Sequence, residues 1–474
     1  MDLTEFRAAA HRVADEVASY LEGLEDRPVV PDVEPGFLRG RLPAAPPAEP
    51  ESLDAILADY GRLVVPGITH WQHPGFMAYF PCVASGPGIL GEWLAAGLNS
   101  NVMFWKNAPA STELEEVVVS WLRQMLGLPD AFDGMFTDTA SVSTLLSLVA
   151  ARHAVPGLQA RDLGLAGRAD VPRLRLYSST ETHSSVEKAA IVIGVGRDGV
   201  RPIPVDDRYA MRPDELARAV AEDRRAGWLP FAAVATLGTT SSTAIDPVRR
   251  IAEVCEGEKL WLHVDAAYGG AAALAPEMRS MFDGWERASS IVFNPHKWMF
   301  TPFDASLLLF RDPEVFRGAF SIVPDYLQGT GTPGAHAFNE YGVQLGRRFR
   351  ALKLWLVIRY FGADGIAARI REHCRMAREL AAWIEAEPSW ELMAPVPLAT
   401  VCLRHAPDGA TPEEIDLRNQ AILDRVNRTG TVYLSGTRLA GRFTLRVALG
   451  NPRTGPGHVR RCWDVLCAAA VAVG

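Results

Sequence analysis

The chain predicts an α/β fold, a mostly parallel β-sheet covered by helices on both faces, followed by a smaller α+β unit. Three observations carry this. From Gly86-Pro87-Gly88 to about Leu345, short apolar runs alternate with helical stretches, and buried strands separated by helices are the pattern of a parallel sheet. The runs are Leu174 to Tyr177, Phe231 to Leu237, Leu260 to Val264, Ser290 to Phe293 and Ala305 to Phe310. Beyond Gly346 the texture changes: a helix from Arg347 to Phe361 leads to strand-like Leu398 to Leu403 and Phe443 to Val447, with helices near 412 to 427 and 456 to 471, an α+β arrangement. At 474 residues the chain is too long for a single core. The expected division is an N-terminal helical and extended segment over 1–86, a large α/β domain over 87–350 and a small α+β domain over 351–474.

Taken in order, the elements have local causes. Leu3, Phe6, Val13, Val17 and Leu21 recur at helical spacing among charged residues, so the first segment reads as an amphipathic helix and not as a signal peptide. Seven prolines between Pro28 and Pro50 exclude helix there; the stretch is a linker or an arm around a second subunit. The formal charge of −8 and the absence of a long Lys/Arg cluster argue against nucleic acid as a partner. No uncharged apolar run reaches the ~18 residues of a membrane span. The six cysteines form no Cys-x-x-Cys pair, which suits reduced thiols in a cytoplasmic protein and no metal site.

In parallel sheets ligands sit beyond the carboxyl ends of the strands, and there the chain places its chemistry. Lys297, in Asn294-Pro295-His296-Lys297-Trp298, follows the run Ile291-Val292-Phe293. Burial would lower its pKa and leave a nucleophilic amine able to capture a carbonyl, although a lone lysine is ordinarily a solvated charge. Asp265 ends Trp261-Leu262-His263-Val264, where it could pair with a protonated ring nitrogen or merely cap a turn, and small Ala267 leaves room for a flat ring. His183 follows Leu174 to Tyr177 and could stack on a planar group. Thr139-Ala140-Ser141 opens a helix over Val142 to Ala154, an anion cradle or an ordinary N-cap. Thr240 lies in the hydroxyl-rich turn after Leu237. Together these supply a lysine for an aldehyde, an acid for a pyridinium, an imidazole and an anion pocket, the parts that pyridoxal 5′-phosphate needs. Asp265 and Lys297 are 32 residues apart, enough for one crossover between parallel strands.

Asn294-Pro295-His296-Lys297-Trp298 with His263-Val264-Asp265-Ala266-Ala267-Tyr268 resembles the signature of the group II pyridoxal-phosphate decarboxylases, specifically the aromatic L-amino-acid decarboxylases. Further similar stretches are Pro31 to Gly36, Thr69-His70-Trp71, Phe76 to Pro81, Thr112 to Glu115, His183 to Glu187 and Gly346 to Arg350. The resemblance implies the type I fold of pyridoxal-phosphate transferases, aspartate-aminotransferase-like. It implies Lys297 as the Schiff-base lysine, Asp265 as partner of the pyridinium, and His183 stacked on the ring. It places Ala140, Ser141, Asn294 and His296 around the phosphate, with Thr240 near the ring hydroxyl. Tyr326, on a loop over the site, is the implied proton donor to Cα, with His183 assisting; the following Gln328 to Gly334 has the composition of a lid.

Trp71, Tyr79, Phe80 and Pro81 match the segment lining the substrate pocket. Cys82, Asn101 and Met103 depart from the animal enzymes there. Gly346 occupies a position that in plant relatives separates roomy indole-accepting pockets from phenol-preferring ones. The implied reaction is decarboxylation of an aromatic L-amino acid, tryptophan favoured, with phenylalanine, tyrosine or dopa as further substrates, in a homodimer with active sites at the subunit interface. An aromatic aldehyde synthase, a group II decarboxylase for another amino acid and a catalytically silent cofactor-binding protein are the alternatives.

Three other patterns read as structural. Gly194-Val195-Gly196-Arg197-Asp198-Gly199 matches a dinucleotide fingerprint but lacks the strand-then-helix context. His70 and His73 have no third metal ligand nearby. Glu113, Glu115 and Glu116 read as a solvated helix face.

Overall fold

The computed structural model describes residues 1–322 and 334–473. The opening helix Leu3–Glu22 is capped by Asp2, whose carboxylate accepts the N–H groups of Thr4 and Glu5. It buries none of its residues within the chain. Residues 28–50 contain neither helix nor strand, as the prolines require.

The large sheet comprises β1 (Asp133–Thr137), β2 (Leu174–Ser179), β3 (Val200–Ile203), β4 (Leu229–Thr236), β5 (Trp261–Asp265), β6 (Ser290–Phe293) and β7 (Ser306–Phe310) in the order β1-β7-β6-β5-β4-β2-β3. Neighbours from β6 to β3 pair in parallel, whereas β7 runs antiparallel to both β6 and β1. The exception follows from the connection: between Phe293 and Ser306 the only helix is the single turn Pro295–Trp298, whereas a parallel return is usually made by a full crossover helix. Because β7 reverses twice, the carboxyl ends of β1, β2, β4, β5 and β6 share one edge. The segments carrying Ala140, His183, Thr240, Asp265 and Asn294 all start there.

The five expected strands are present. The pattern does not announce β3, because Arg201 and Pro202 interrupt it; an edge strand tolerates both. The glycines before it form the turn Arg197–Gly199.

A second sheet, β10-β11-β9-β8, is antiparallel throughout, with β8 (Trp390–Leu392), β9 (Thr400–His405), β10 (Ser435–Leu439) and β11 (Arg442–Ala448). Helices Pro412–Arg428 and Pro456–Val473 lie in this part. The helix expected over Arg347 to Phe361 starts at Arg350 and extends to Glu385, interrupted by Gly362 at φ 67°, a conformation open to glycine at little cost. One buried apolar cluster runs from Val264 and Phe293 of the large sheet to Val401 and Val447 of the small one. Among the described residues no helix is long and apolar enough to cross a membrane.

The solvated reading of the three glutamates needs correction. Glu113 is exposed and accepts from the Trp105 indole, but Glu115 is fully buried in helix Pro109–Leu126 and paired with buried Arg347. Spacing alone could not separate them, because the partner is supplied by a segment far along the chain. Glu116 and Asp133 grip the two ring nitrogens of His336 at 2.7 and 3.1 Å.

Its Asp133 hydrogen bond, followed by that charge and by Glu116, raises the His336 pKa to about 9. A folded pKa above the unfolded value of roughly 6.5 means that the stabilisation is complete below pH ~6.5 and lost as pH rises through about 9. His336→Asn therefore lowers the denaturation midpoint near pH 6 and leaves it unchanged near pH 10. Equal losses at both pH values would show that the charge contributes nothing.

Candidate active site

β5 and β6 position the two central groups. Asp265 closes β5 and is 6% exposed. Its Oδ1 accepts the Ala267 N–H at 3.0 Å, and the Ala267 carbonyl accepts the Asn294 N–H at 3.2 Å, tying the strand ends together. Lys297 lies in the single helical turn after β6, half-buried. Burial lowers its pKa, Arg446 lowers it further, and Asp265 and Cys82 oppose the shift. Among the described residues Lys297 makes no salt bridge. Its Nζ lies 5.1 Å from the centre of the Phe80 ring.

Imidazoles flank this pair. His296 is buried, and its Nδ1 accepts the Ala305 N–H at 3.0 Å, which leaves the proton on Nε2. Burial and the Lys297 charge push its pKa down to about 3, keeping the ring neutral. His183 Nδ1 accepts the Ser185 N–H at 3.2 Å and lies 2.8 Å from that residue's hydroxyl. Partial burial lowers its pKa and Lys297 adds to this, against Asp265.

The helix Ala140–His153 starts one turn after β1, and its N-cap Thr139 makes no side-chain bond to the first turn. Ala140 is half-buried and Ser141 exposed, so the amides at the positive end of the helix have no side-chain acceptor of their own. Thr240 is exposed in the turn after β4, beside Thr239 and Ser242, whose hydroxyls bond to each other at 3.0 Å.

The expected pocket residues divide into three groups. Phe80 and Pro81 are buried; Phe80 stacks on Tyr268 at 3.8 Å and faces Lys297. Cys82 is close enough for Lys297 to act on its thiol, whose pKa burial raises and Lys297 lowers; the thiol donates to the Phe80 carbonyl at 3.6 Å. Trp71 and Tyr79 instead join Phe76 and Tyr433 in an aromatic cluster, at 39% and 50% exposure. Asn101, Met103 and Gly346 form the third group: Asn101 Oδ1 accepts the Arg347 N–H at 2.8 Å, and the Met103 carbonyl accepts the Asn339 N–H at 3.1 Å. A methyl group on Gly346 would meet the Asn101 amide at 3.7 Å. Tyr326 and Gln328 to Pro333 lie outside the described residues.

His70 and His73 have ordinary partners, with Tyr20 Oη 2.9 Å from His70 Nδ1 and the Gly75 N–H donating to His73 Nδ1 at 2.8 Å. Sequence reasoning missed Tyr268 and Arg446 as parts of this site. Arg446 interrupts an apolar strand on its buried face, and that anomaly was the available signal.

The set suits a phosphorylated pyridine aldehyde. Asn294 Oδ1 is buried without a hydrogen-bond partner among the described residues, so nothing holds that amide in place, and turned over it would present Nδ2 as a donor to a phosphate oxygen. Asp265 makes a hydrogen bond through Oδ1, Lys297 has lowered basicity, and His296 offers a neutral N–H. Fold and site together define a pyridoxal-phosphate enzyme of the type I fold.

A family model described as the pyridoxal-dependent decarboxylase conserved domain matches residues 35–406. An aromatic-L-amino-acid decarboxylase of Sus scrofa is 40% identical over 98% of this chain and 96% of its own length. A phenylacetaldehyde synthase of Arabidopsis thaliana is 38% identical over 98% of this chain and 96% of its own length. The solved structure of Oryza sativa TDC with PLP and tryptamine covers 100% of this chain and 99% of that one, at 35% identity and a TM-score of 0.95. The chain belongs to the pyridoxal-dependent decarboxylase family. It is accordingly a carbon–carbon lyase with pyridoxal 5′-phosphate as its cofactor.

Proposed function

We propose that this enzyme decarboxylates an aromatic L-amino acid to the arylalkylamine and CO2, with tryptophan as the favoured substrate. The observation that carries the aromatic reading is the buried wall of Phe80 stacked on Tyr268 beside Lys297, which suits a flat apolar ring. Gly346, with space for a side chain and none present, supports the larger indole. Relatives of both product types support the class: the Oryza sativa enzyme was solved with tryptamine.

Bound pyridoxal phosphate supplies an aldehyde that captures the substrate amine and a ring that accepts the electron pair released with CO2. Lys297, its basicity lowered by burial, would hold the aldehyde and release it to the substrate amine. Asp265 would keep the ring nitrogen protonated, and His183 would pack against the ring. Ala140, Ser141, Asn294 and His296 would hold the phosphate, Thr240 would serve the ring hydroxyl, and Ala267 would leave the ring its space. As CO2 leaves, one proton must reach Cα; Tyr326 gives it, with His183 assisting.

Trp71, Tyr79, Pro81, Cys82 and Gly346 would line the pocket, and Asn101 and Met103 would reach that of a second subunit. Leu90, Trp93, Leu94 and Leu98, exposed on one helix, together with the uncovered opening helix, suit a homodimer. Six free cysteines suit the cytoplasm.

The test is a substrate panel of tryptophan, tyrosine, dopa, phenylalanine, histidine and glutamate, with amine and aldehyde quantified separately. Amine from tryptophan above the others is expected; preference for histidine or glutamate would overturn the aromatic reading. Likeness to the phenylacetaldehyde synthase makes aldehyde release the second reading. Tyr326→Phe is expected to shift product from amine toward aldehyde, and an unchanged ratio would remove Tyr326 from proton delivery.

A further inference from the structure

Arg446 is 3% exposed and, among the described residues, forms no salt bridge and leaves its Nη2 atom without a hydrogen-bond partner. A buried, uncompensated cation is costly. Its surroundings say what it does. Nη1 donates to the Tyr79 carbonyl, and Nε donates to the Ser241 carbonyl at 3.0 Å. Tyr79 adopts φ 53°, a left-handed conformation that a residue with a Cβ occupies only when held. The holding is symmetrical: Ser435, directly opposite Arg446 in the β10–β11 ladder, accepts the Tyr79 N–H on its hydroxyl at 3.2 Å. One cross-strand pair of the small sheet thus grips both polar backbone groups of Tyr79.

That grip sets the next residue. Phe80 is pressed on Tyr268, which stacks on Trp298 at 4.7 Å, and the Trp298 indole donates to His373 at 2.9 Å. Phe80 therefore stands against a rigid stack. The guanidinium carbon of Arg446 is 4.5 Å and the Lys297 amine 5.1 Å from the Phe80 ring centre, so the two basic groups are less than about 10 Å apart and a charge on one opposes a charge on the other.

We propose that Arg446 is a positioning residue for the Lys297 site: with Ser435 it clamps Tyr79 so that Phe80 is held against Lys297, and its charge favours the neutral, nucleophilic amine. The inference rests on the assignment of Lys297 as the lysine that takes the aldehyde. The other charged or titratable groups acting on Lys297 are Asp265 and Cys82, which favour its charged form; the nearby imidazoles of His183 and His296 both have pKa values lowered by burial.

The full chain stripped of cofactor is mixed with pyridoxal 5′-phosphate across a pH series, and growth of the visible band is timed. The rate follows the fraction of neutral Lys297. Arg446→Met should move the pH midpoint upward by about one unit, slowing association about tenfold below it. Arg446→Lys, which restores charge without the forked reach, should return the midpoint toward the parent. If Arg446→Met does not fold, Arg446→Gln, which keeps an amide donor for the Tyr79 carbonyl, carries the same expectation. A midpoint unmoved in the uncharged variants overturns the inference while Lys297 keeps its role. A band that still forms in Lys297→Ala overturns the Lys297 assignment itself.

Discussion

Lys297→Ala is expected to abolish the visible band of the bound cofactor and to lower kcat by on the order of 10³-fold or more, since in the proposed role of Lys297 the covalent anchor and its exchange with substrate amine would both be lost. The fold should survive. Lys297 makes no salt bridge among the described residues, so its removal strands no buried carboxylate except for a weakened field at Asp265. The site without the amine should still bind pyridoxal phosphate through the phosphate cradle, more weakly and reversibly. Reduction with borohydride followed by peptide mapping separates the two states: the parent should carry the label on Lys297 and the variant should carry none. A variant that retains the band, or a label on another lysine, would remove Lys297 from the centre of the reaction.

The second large effect is structural. Glu115 and Arg347 have side-chain exposures of 0% and 3% and meet at 2.5 Å. Glu115 Oε1 also accepts the Phe136 N–H at 2.9 Å, while Arg347 donates to the carbonyls of Val102 and Phe136 at 2.9 and 2.8 Å. The pair therefore joins helix Pro109–Leu126, strand β1, the Asn101–Met103 segment and the residue after Gly346. Breaking a buried pair leaves a desolvated charge, so Glu115→Leu or Arg347→Met should each cost about 3–5 kcal/mol. Glu113→Gln, on the exposed side of the same helix, should change stability by no more than about 1 kcal/mol. Because the lone charge does the damage, the double variant Glu115→Leu/Arg347→Met should recover part of the loss. Denaturant midpoints measure all four; equal effects at Glu113 and Glu115 would refute the buried-pair account.

Glu115 also shows where sequence reasoning stops. A carboxylate beside two others on a helix reads as solvent-facing, and nothing within the helix says that Arg347, 232 residues away, will cover it. Arg446 failed for the same reason: its partners Tyr79 and Ser241 lie 367 and 205 residues distant. By contrast, all five expected strands are present, because a run of apolar residues bounded by turns is local information. The antiparallel β7 is intermediate, since the Pro295 that opens the single helical turn before it can be seen in the chain but the direction of the strand cannot.

The sequence by itself determined the layered α/β architecture, the family, and the placing of Asp265, His183, Asn294, His296 and Lys297 at or just after strand ends. These depend on hydrophobic periodicity and on residues following directly upon strands, and the parallel sheet then brings such positions to one edge. Only the tertiary structure decided the environment of those groups: Phe80 on Tyr268 beneath Lys297, the Arg446–Ser435 grip on Tyr79, and the burial of Glu115 against Arg347. The reason is physical. A pKa or the burial of a charge is a sum over neighbours brought together by folding, and no window along the chain contains them.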